Sequence, residues 1–124
     1  MRLRVLDGSY AVCRLGAATL APPPSGRFWS LTHAGDERSL ICPDEDAPVT
    51  GGSVERGWRV LGVEGPLDFS LVGVTAALAA PLAQAGVSIL PVATHDTDYL
   101  LVPGDRLADA VAALRAAGHD VDAP

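Results

Sequence analysis

The sequence predicts an α+β fold that contains one β-α-β-β-α-β unit, and three patterns in its second half carry this prediction. Short apolar runs lie at 58–63, 87–93 and 98–102. Apolar residues recur at intervals of three and four over 71–86 and again over 106–118, which is typical of amphipathic helices. With 124 residues and 48% hydrophobic side chains, the chain can bury one substantial core.

The first strand of this unit is expected at WRVLGV (58–63), and a helix is expected to follow it. Asp68 and Ser70 are both candidate N-caps, because their side-chain oxygens can accept a hydrogen bond from a free N–H of the first turn. Gly86 suits the left-handed position that ends a helix. Pro81 is expected to bend the helix. The predicted apolar stripe comprises Leu71, Thr75, Leu78 and Leu82.

A hairpin and a second helix complete the unit. VSILPVA and DYLLV are short adjacent strand patterns joined by the turn THDT, so we expect them to pair as a hairpin. Asp105 is the expected cap of a helix that stops at Gly118, and a last strand is expected at 119–121. This order gives an antiparallel sheet covered on one face by two helices, which is the ferredoxin-like arrangement.

The N-terminal half is less regular, but short pieces of it match the C-terminal half in the same order. The matching pairs are Arg4-Val5-Leu6 with Arg59-Val60-Leu61, Thr32-His33 with Thr94-His95, and Leu40-Ile41-Cys42-Pro43 with Leu100-Leu101-Val102-Pro103. In such a repeat the first copy is reduced, because APPPSG (21–26) stands where the first helix would be and 44–53 has a linker composition. We therefore predict a truncated unit with its linker at 1–53 and a full unit at 54–124.

Three segments carry a resemblance to a known family: EGPLDFSLVG, LAAPLAQAGVSI and THDTDYLLVP. Together they resemble the small bacterial ACT-domain proteins related to the CASTOR arginine sensors, and SLTHAGDERSLICP fits the first, truncated ACT unit of that family. The resemblance covers about residues 8 to 121. It implies two ACT-type units, sheets that extend across a unit or subunit interface, and regulatory binding of amino acids rather than catalysis.

The resemblance also implies a place for the ligand. In the arginine sensors the ligand lies between ACT units, held by backbone groups at the start of the first helix and by an acidic residue in the hairpin segment. Those sensors have four ACT units and this chain has at most two, so an equivalent site would require a homodimer. Carried over by motif, the helix-start segment is Phe69 to Gly73 and the acidic candidate is Asp98, with Asp96 beside it. The full set of predicted ligand-binding residues is Asp68, Phe69, Ser70, Leu71, Val72, Gly73, Thr94, His95, Asp96 and Asp98.

The chemistry of these residues agrees with that placement. A helix N-terminus offers free N–H groups and a positive dipole end, which suit the carboxylate of an amino acid. Asp96 or Asp98 can accept charge-assisted hydrogen bonds from an ammonium or guanidinium group. A simpler interpretation stays open, in which Asp68 and Ser70 only cap the helix and the turn residues are ordinary turn residues.

Other classes of partner are disfavoured. The net charge of −6 repels a phosphate backbone, and 5% aromatic residues provide few platforms for bases, so no nucleic-acid partner is expected. The same charge does not favour anionic membrane surfaces. The uncharged stretch 71–94 contains prolines and a glycine, so it predicts a buried helix and strand rather than a membrane span. The N-terminus has no export signal, which predicts a cytoplasmic protein with Cys13 and Cys42 as reduced core thiols.

Catalytic and metal sites are not predicted either. Alternate residues of an extended chain point to the same side, so His95 is expected to face away from Asp96 and Asp98. Ser70 has no motif that places a base beside it, and GGSVERG lacks the pattern of a phosphate loop. We therefore expect a non-enzymatic sensor without a cofactor or metal, which binds an amino-acid effector at an ACT–ACT interface. The alternative is a constitutive oligomerisation module without a ligand.

Overall fold

The computed structural model describes residues 1–16, 28–48, 52–67 and 72–124, which fall into two compact units. The large unit comprises Met1–Asp7 and Arg59–Pro124, and the small unit comprises Gly8–Trp58. This division differs from the boundary expected after residue 53, because the first seven residues belong with the C-terminal half. That the small unit is a truncated ACT copy stays a prediction.

The described residues form eight strands and two α-helices. In chain order they are β1 (Arg2–Val5), β2 (Tyr10–Leu15), β3 (Ser30–Ala34), β4 (Glu37–Pro43), β5 (Gly52–Val63), α1 (Val74–Gln84), β6 (Leu90–Ala93), β7 (Asp98–Pro103), α2 (Leu107–Ala116) and β8 (Asp120–Asp122). Short 3-10 helices follow β4 at Asp44–Asp46 and β7 at Gly104–Arg106.

The large unit confirms the predicted order, since β5, α1, β6, β7, α2 and β8 follow one another along the chain. Its sheet has the strand order β6-β7-β5-β1-β8. One feature was not predicted: β1 lies between β5 and β8. Leu3 pairs with Val63 in an antiparallel ladder and with Val121 in a parallel one. The alternation of Leu3 and Val5 with two arginines explains this position, because it gives β1 one apolar face for the core.

Both helices of the large unit pack on the apolar residues of its strands. Alternate strand positions point into this core, and α1 contributes Leu78 and Leu82. The helices thus cover one face of the sheet, as predicted. The buried members of the core are Leu3, Val5, Leu61, Val63, Leu78, Leu82, Val87, Leu100, Val102, Ala110, Val111, Leu114 and Val121.

The predicted start of α1 was wrong by several residues and that of α2 by one. Helix α1 begins at Val74 with Gly73 as its N-cap, so neither Asp68 nor Ser70 occupies the capping position. Thr75, expected in the apolar stripe, is exposed in the first turn. Helix α2 is preceded by Arg106 rather than capped by Asp105. In both cases a glycine or a 3-10 turn redirects the chain, and local residue preference did not reveal this.

The predicted helix ends are confirmed, and they explain why two strands start late. After α1, the N–H groups of Gly86 and Val87 donate to the carbonyls of Ala83 and Leu82 at 3.0 and 2.9 Å. Gly86 has a φ of 71°, as this motif requires. The same pattern follows α2, where Gly118 and His119 donate to Arg115 and Leu114. Residues 87 and 119 therefore close helices, and β6 and β8 begin only at Leu90 and Asp120.

The small unit pairs β3 with β4, β4 with β2, and β2 with the first part of β5. Its β3–β4 hairpin ends at Pro43 and continues into a 3-10 helix, just as β6–β7 ends at Pro103 and continues into one. This local match supports the predicted repeat. The APPPSG segment at 21–26 lies outside the described residues.

Cys13 and Cys42 are free and buried, as predicted. They lie on β2 and β4, where Cys13 pairs with Leu40 and Cys42 pairs with Ala11, so the two thiols are diagonal neighbours on one face. Removal from water, followed by the negative charge of Cys13, raises the pKa of Cys42 to about 12. Burial likewise raises the pKa of Cys13.

No helix within the described part of the chain is long and apolar enough to cross a membrane. The uncharged stretch 71–94 instead contributes α1 and β6 where it is described.

Candidate functional site

The turn between β6 and β7 is held by its own hydrogen bonds. The N–H of Thr94 donates to the carbonyl of Thr97 at 2.9 Å, and the Thr94 hydroxyl donates to the same oxygen at 3.0 Å. The N–H of Thr97 in turn donates a hydrogen bond to Thr94 Oγ1 at 3.3 Å. Threonine side chains can bond to nearby backbone in this way, which fixes a turn locally. His95 and Asp96 are thereby presented at the tip.

The turn is also bonded to the chain that leads from β5 towards α1. Thr97 Oγ1 donates to the carbonyl of Val63 at 2.6 Å, and the N–H of Leu67 donates to the carbonyl of Asp96 at 2.6 Å. Gly65 allows the close approach, since a Cβ there would lie 3.0 Å from Asp96 O and from Thr97 Cβ. Residues 63–67 and the hairpin turn are therefore held together by hydrogen bonds and close packing.

A hollow of about 400 Å³ lies between this turn and the start of α1, entirely within the large unit. The sequence left open whether these two segments meet within one unit, and the structure brings them together. The hollow is lined by Leu67, Gly73, Val74, Thr75, Ala76, Ala93, Thr94, His95, Asp96, Thr97 and Asp98.

One wall of the hollow is the N-terminus of α1. Gly73 occupies the N-cap position with a φ of 77°, and no side chain of the cap accepts a hydrogen bond from the first turn. Its carbonyl accepts the N–H of Ala77 at 2.9 Å, which is the first bond of the helix. The N–H groups of Val74, Thr75 and Ala76 precede that bond and lie at the positive end of the helix dipole.

The opposite wall carries carboxylates. Asp98 is half-buried and shares the helix-facing side of β7 with Leu100, because side chains alternate along a strand. Asp96 is exposed at the turn. The expectation that His95 faces away from both aspartates was wrong: its Nδ1 donates to Asp96 Oδ1 at 2.9 Å. That expectation assumed an extended chain, whereas His95 and Asp96 lie in a turn.

The predicted site residues divide into three groups. Those that line the hollow are Gly73, Thr94, His95, Asp96 and Asp98. Val72 does not line it, although its side chain is 93% exposed beside the start of α1. Asp68, Phe69, Ser70 and Leu71 lie outside the described residues, so their part in a site stays a prediction.

Sequence reasoning missed several lining residues, of which Thr75 and Thr97 are polar. Periodicity places Thr75 in the apolar stripe, and its true position follows only when the helix is started at Gly73, a residue type that N-cap positions accept. Thr97 has the sequence context of an ordinary turn residue, although it anchors the turn to β5. The other missed lining residues are Leu67, Val74, Ala76 and Ala93.

No three His, Cys, Asp or Glu side chains come together as a metal site in the described ranges. The polar groups at the hollow are carboxylates, hydroxyls, an imidazole and backbone N–H groups. Such a set complements a small molecule that carries both signs of charge.

A family model for the ACT domain matches residues 53–116, which is more than half of the chain. The chain belongs to the ACT-domain family. The match spans the described parts of both walls of the hollow and all of α1, β6, β7 and α2. The predicted ferredoxin-like ACT unit is thus confirmed.

Solved structures with a similar fold match nearly the whole chain. A protein of Agobacterium tumefaciens designated Atu0741 has 34% sequence identity and a TM-score of 0.87, and the match covers 97% of this chain and 90% of that one. The regulatory subunit of aspartate kinase from Thermus flavus has 11% identity and a TM-score of 0.62, with 93% and 95% covered. At that identity the second match concerns the fold alone.

Among curated relatives, a human protein named cytosolic arginine sensor for mTORC1 subunit 1 is 31% identical over 119 residues. The match covers 90% of this chain but 36% of the human protein, so this ACT chain spans about a third of that relative's length. A Bos taurus protein of the same name is 36% identical over 71 residues, covering 56% and 21%.

Proposed function

We propose that this ACT protein is a regulatory module that binds a free α-amino acid in the hollow and performs no reaction on it. The observation that carries the proposal is the juxtaposition, within one unit, of a helix N-terminus whose N-cap, Gly73, has no side chain and a turn that bears two carboxylates. An α-amino acid carries the complementary charges close together: its carboxylate can face the helix N-terminus while its ammonium group faces the carboxylates of the turn.

The carboxylate of the ligand is assigned to the start of α1. Free N–H groups and the helix dipole favour an anion there by about 0.3 to 1 kcal/mol at an exposed site. The Thr75 hydroxyl, exposed in the first turn and at the rim of the hollow, can donate one more hydrogen bond. Gly73 has no side chain, so the backbone at the cap is open to a close contact.

The cationic groups of the ligand are assigned to the turn. Asp98 is half-buried, so a hydrogen bond to its carboxylate is less exposed to competition from water than one to Asp96. Asp96 already accepts a hydrogen bond from His95, which leaves its second oxygen and further lone pairs available. Two carboxylates favour a ligand with a second positive charge in addition to its ammonium group.

Arginine is the first ligand to test, because relatives that match the chain are named arginine sensors. Its guanidinium can form a bidentate pair with a carboxylate, which a lysine ammonium cannot do. The relatives are about three times longer than this chain, so their partners and pathway are not transferred with the ligand.

The ligand site is further proposed to lie at an ACT–ACT interface. Thr75, Ala76, Thr94 and His95 are exposed and form the rim of the hollow, so a second copy of the chain could close it in a homodimer. Ligand and second copy would then stabilise each other, and binding would shift the equilibrium between two states of the assembly.

Thermal unfolding in the presence of each free amino acid tests the proposed function. A ligand that binds only the native state stabilises it by RT ln(1 + [L]/Kd), about 2.7 kcal/mol at a hundredfold excess over Kd. We expect a rise of several degrees with one amino acid or one chemically related group of them. A flat response to the whole panel at millimolar concentration would favour the oligomerisation module without a ligand.

A further inference from the structure

A second concave surface lies on the other face of the sheet in the large unit. It is a groove of about 710 Å³ on the side that points away from α1 and α2. Its side chains alternate with core residues, as Arg4 does with Leu3 and Val5. The groove and the hollow share one wall, because Asp96 and Thr97 line both. The proposed function makes no use of this groove.

Four groups lie in a row across the floor and sides of the groove. Arg4 on β1 pairs with Gly62 on β5 and with Asp122 on β8. The ring of Tyr99 on β7 leans over Gly62, since a Cβ built on that glycine would lie 3.0 Å from Tyr99 Cε1. Neighbouring strands are about 4.8 Å apart, so the row of Tyr99, Gly62, Arg4 and Asp122 spans about 14 Å.

The charges in this row are not neutralised by each other. Arg4 and Asp122 are neighbours of opposite charge, both exposed, yet within the described chain they form no ion pair with one another or with a third group. The adjacent row differs, because Arg2 lies 3.2 Å from Asp120 and 3.6 Å from Glu64. The groove thus holds a cation and an anion that both remain available, beside the partly exposed ring of Tyr99.

We propose that the groove is a second ligand site, for an α-amino acid with an aromatic side chain. Its carboxylate pairs with the Arg4 guanidinium and its ammonium with the Asp122 carboxylate, whose spacing of one strand suits two groups on the same Cα. Its ring then lies along the row against the ring of Tyr99, which covers Gly62. Aromatic pairs in such contact add attraction beyond the burial of their surface.

The site is tested by titrating L-phenylalanine into the ¹⁵N-labelled full chain and following the backbone amide signals. We expect concentration-dependent shifts at Arg4, Gly62, Tyr99 and Asp122. Two further probes each lack one charge, 3-phenylpropionate without the ammonium and phenethylamine without the carboxylate. Both should bind at least tenfold more weakly, because each leaves Arg4 or Asp122 unpaired.

Two variants assign the contact. Arg4→Gln should weaken L-phenylalanine binding at least tenfold, and Asp122→Asn should do the same if Arg4→Gln does not fold. Arg14→Gln, which removes another exposed arginine in the small unit, should leave the affinity unchanged. Equal shifts with all three probes, no shifts in the groove, or an unaltered affinity in a folded Arg4→Gln protein would overturn the proposal. Shifts confined to Gly73 and His95 would place the amino acid in the hollow and would also overturn the proposal of a second site. Failure of the hollow to bind arginine would leave the proposal of a second site intact.

Discussion

The N–H of Leu67 donates a 2.6 Å hydrogen bond to the carbonyl of Asp96, which ties the segment before α1 to the tip of the β6–β7 turn. These residues are 29 positions apart in the chain, and each lines the hollow. Because the acceptor is the backbone of Asp96, this bond does not occupy the carboxylate of that residue. The bond therefore holds the turn against the backbone that follows β5 without using the charge proposed to bind the ligand.

Gly65 makes this close approach possible, and Gly65→Ala should disrupt it. The added methyl group would lie 3.0 Å from Asp96 O and Thr97 Cβ, so the turn must shift outward. We expect a loss of about 1 to 3 kcal/mol in the free energy of unfolding, as for other overpacked positions. Denaturant unfolding checks the stability. A Gly65→Ala protein as stable as the wild type would show that the turn can shift without loss of stability, which would contradict this prediction.

The hydroxyl of Thr97 anchors the turn to β5. Thr97→Val should remove this anchor while keeping the shape of the side chain. The Val63 carbonyl loses its bond from Oγ1, so we expect a cost of about 1 to 3 kcal/mol in unfolding free energy. Thr97→Ser is the matched control, since it keeps the hydroxyl and loses only a methyl group. Equal destabilisation in the two variants would mean that packing, not the hydrogen bond, is what matters.

Arg106 caps the C-terminus of α1, although it is not part of that helix. Its Nη2 and Nη1 donate to the carbonyls of Ala85 and Gly86 at 3.1 and 3.3 Å, and its Nε donates to Asp109 at 2.9 Å. Arg106→Gln should lower the unfolding free energy by about 1 kcal/mol, because these carbonyls lose a charged donor at the negative end of the dipole.

Asp109→Asn is the control for that variant. It removes the partly exposed ion pair but keeps the bonds to the helix end, so we expect a change of about 0.2 to 1 kcal/mol. Thermal or denaturant unfolding of both proteins compares them. A larger effect for Asp109→Asn than for Arg106→Gln would contradict the proposed role of Arg106 as a cap.

Alkaline pH should destabilise the protein through its buried thiols. The pKa of Cys42 is raised from 9.0 to about 12 in the folded chain, so between these values the unfolded state binds fewer protons. The contribution of Cys42 to the unfolding free energy is therefore constant below pH 9 and falls as pH rises towards 12, by up to about 1.4 kcal/mol per pH unit. All nine basic residues are arginine, so no lysine titrates in this range.

The variant Cys42→Ala isolates that contribution. Its unfolding free energy should be lower than that of the wild type near neutral pH, because the buried sulfur no longer packs, but it should fall less steeply above pH 9. Chemical denaturation at a series of pH values gives both slopes. Identical slopes for the two proteins would contradict the assignment of the alkaline transition to Cys42.

The order of the elements could be predicted because periodicity and helix-ending glycines are local signals. Gly86 and Gly118 ended their helices where expected, since a left-handed position after a helix strongly favours glycine. The starts could not be predicted in the same way. Gly73 caps α1 without a side chain, so the polar residues before it gave a misleading signal. The place of β1 between β5 and β8 depends on pairing between distant segments, which no local pattern encodes.

The candidate site was predicted in part for the same reason. The turn residues Thr94, His95, Asp96 and Asp98 were found because a polar interruption between two strand patterns is visible in the sequence. Thr75 was missed because its role depends on the start of the helix, and the orientation of His95 was wrong because the turn is not extended. The two walls line one hollow within the large unit, and the bonds of Leu67 and Thr97 that hold the turn beside it are long-range contacts that no local pattern encodes.

The most direct test of the central claim is a calorimetric titration of L-arginine into the wild-type protein, Asp98→Asn and Asp105→Asn. Asp98→Asn removes the half-buried charge of the hollow, whereas Asp105→Asn removes an exposed charge in the 3-10 helix after β7. We predict saturable binding to the wild type, an equal affinity for Asp105→Asn, and at least a tenfold weaker affinity for a folded Asp98→Asn. Wild-type binding that is unaffected by Asp98→Asn would contradict the assignment of the ligand to the hollow.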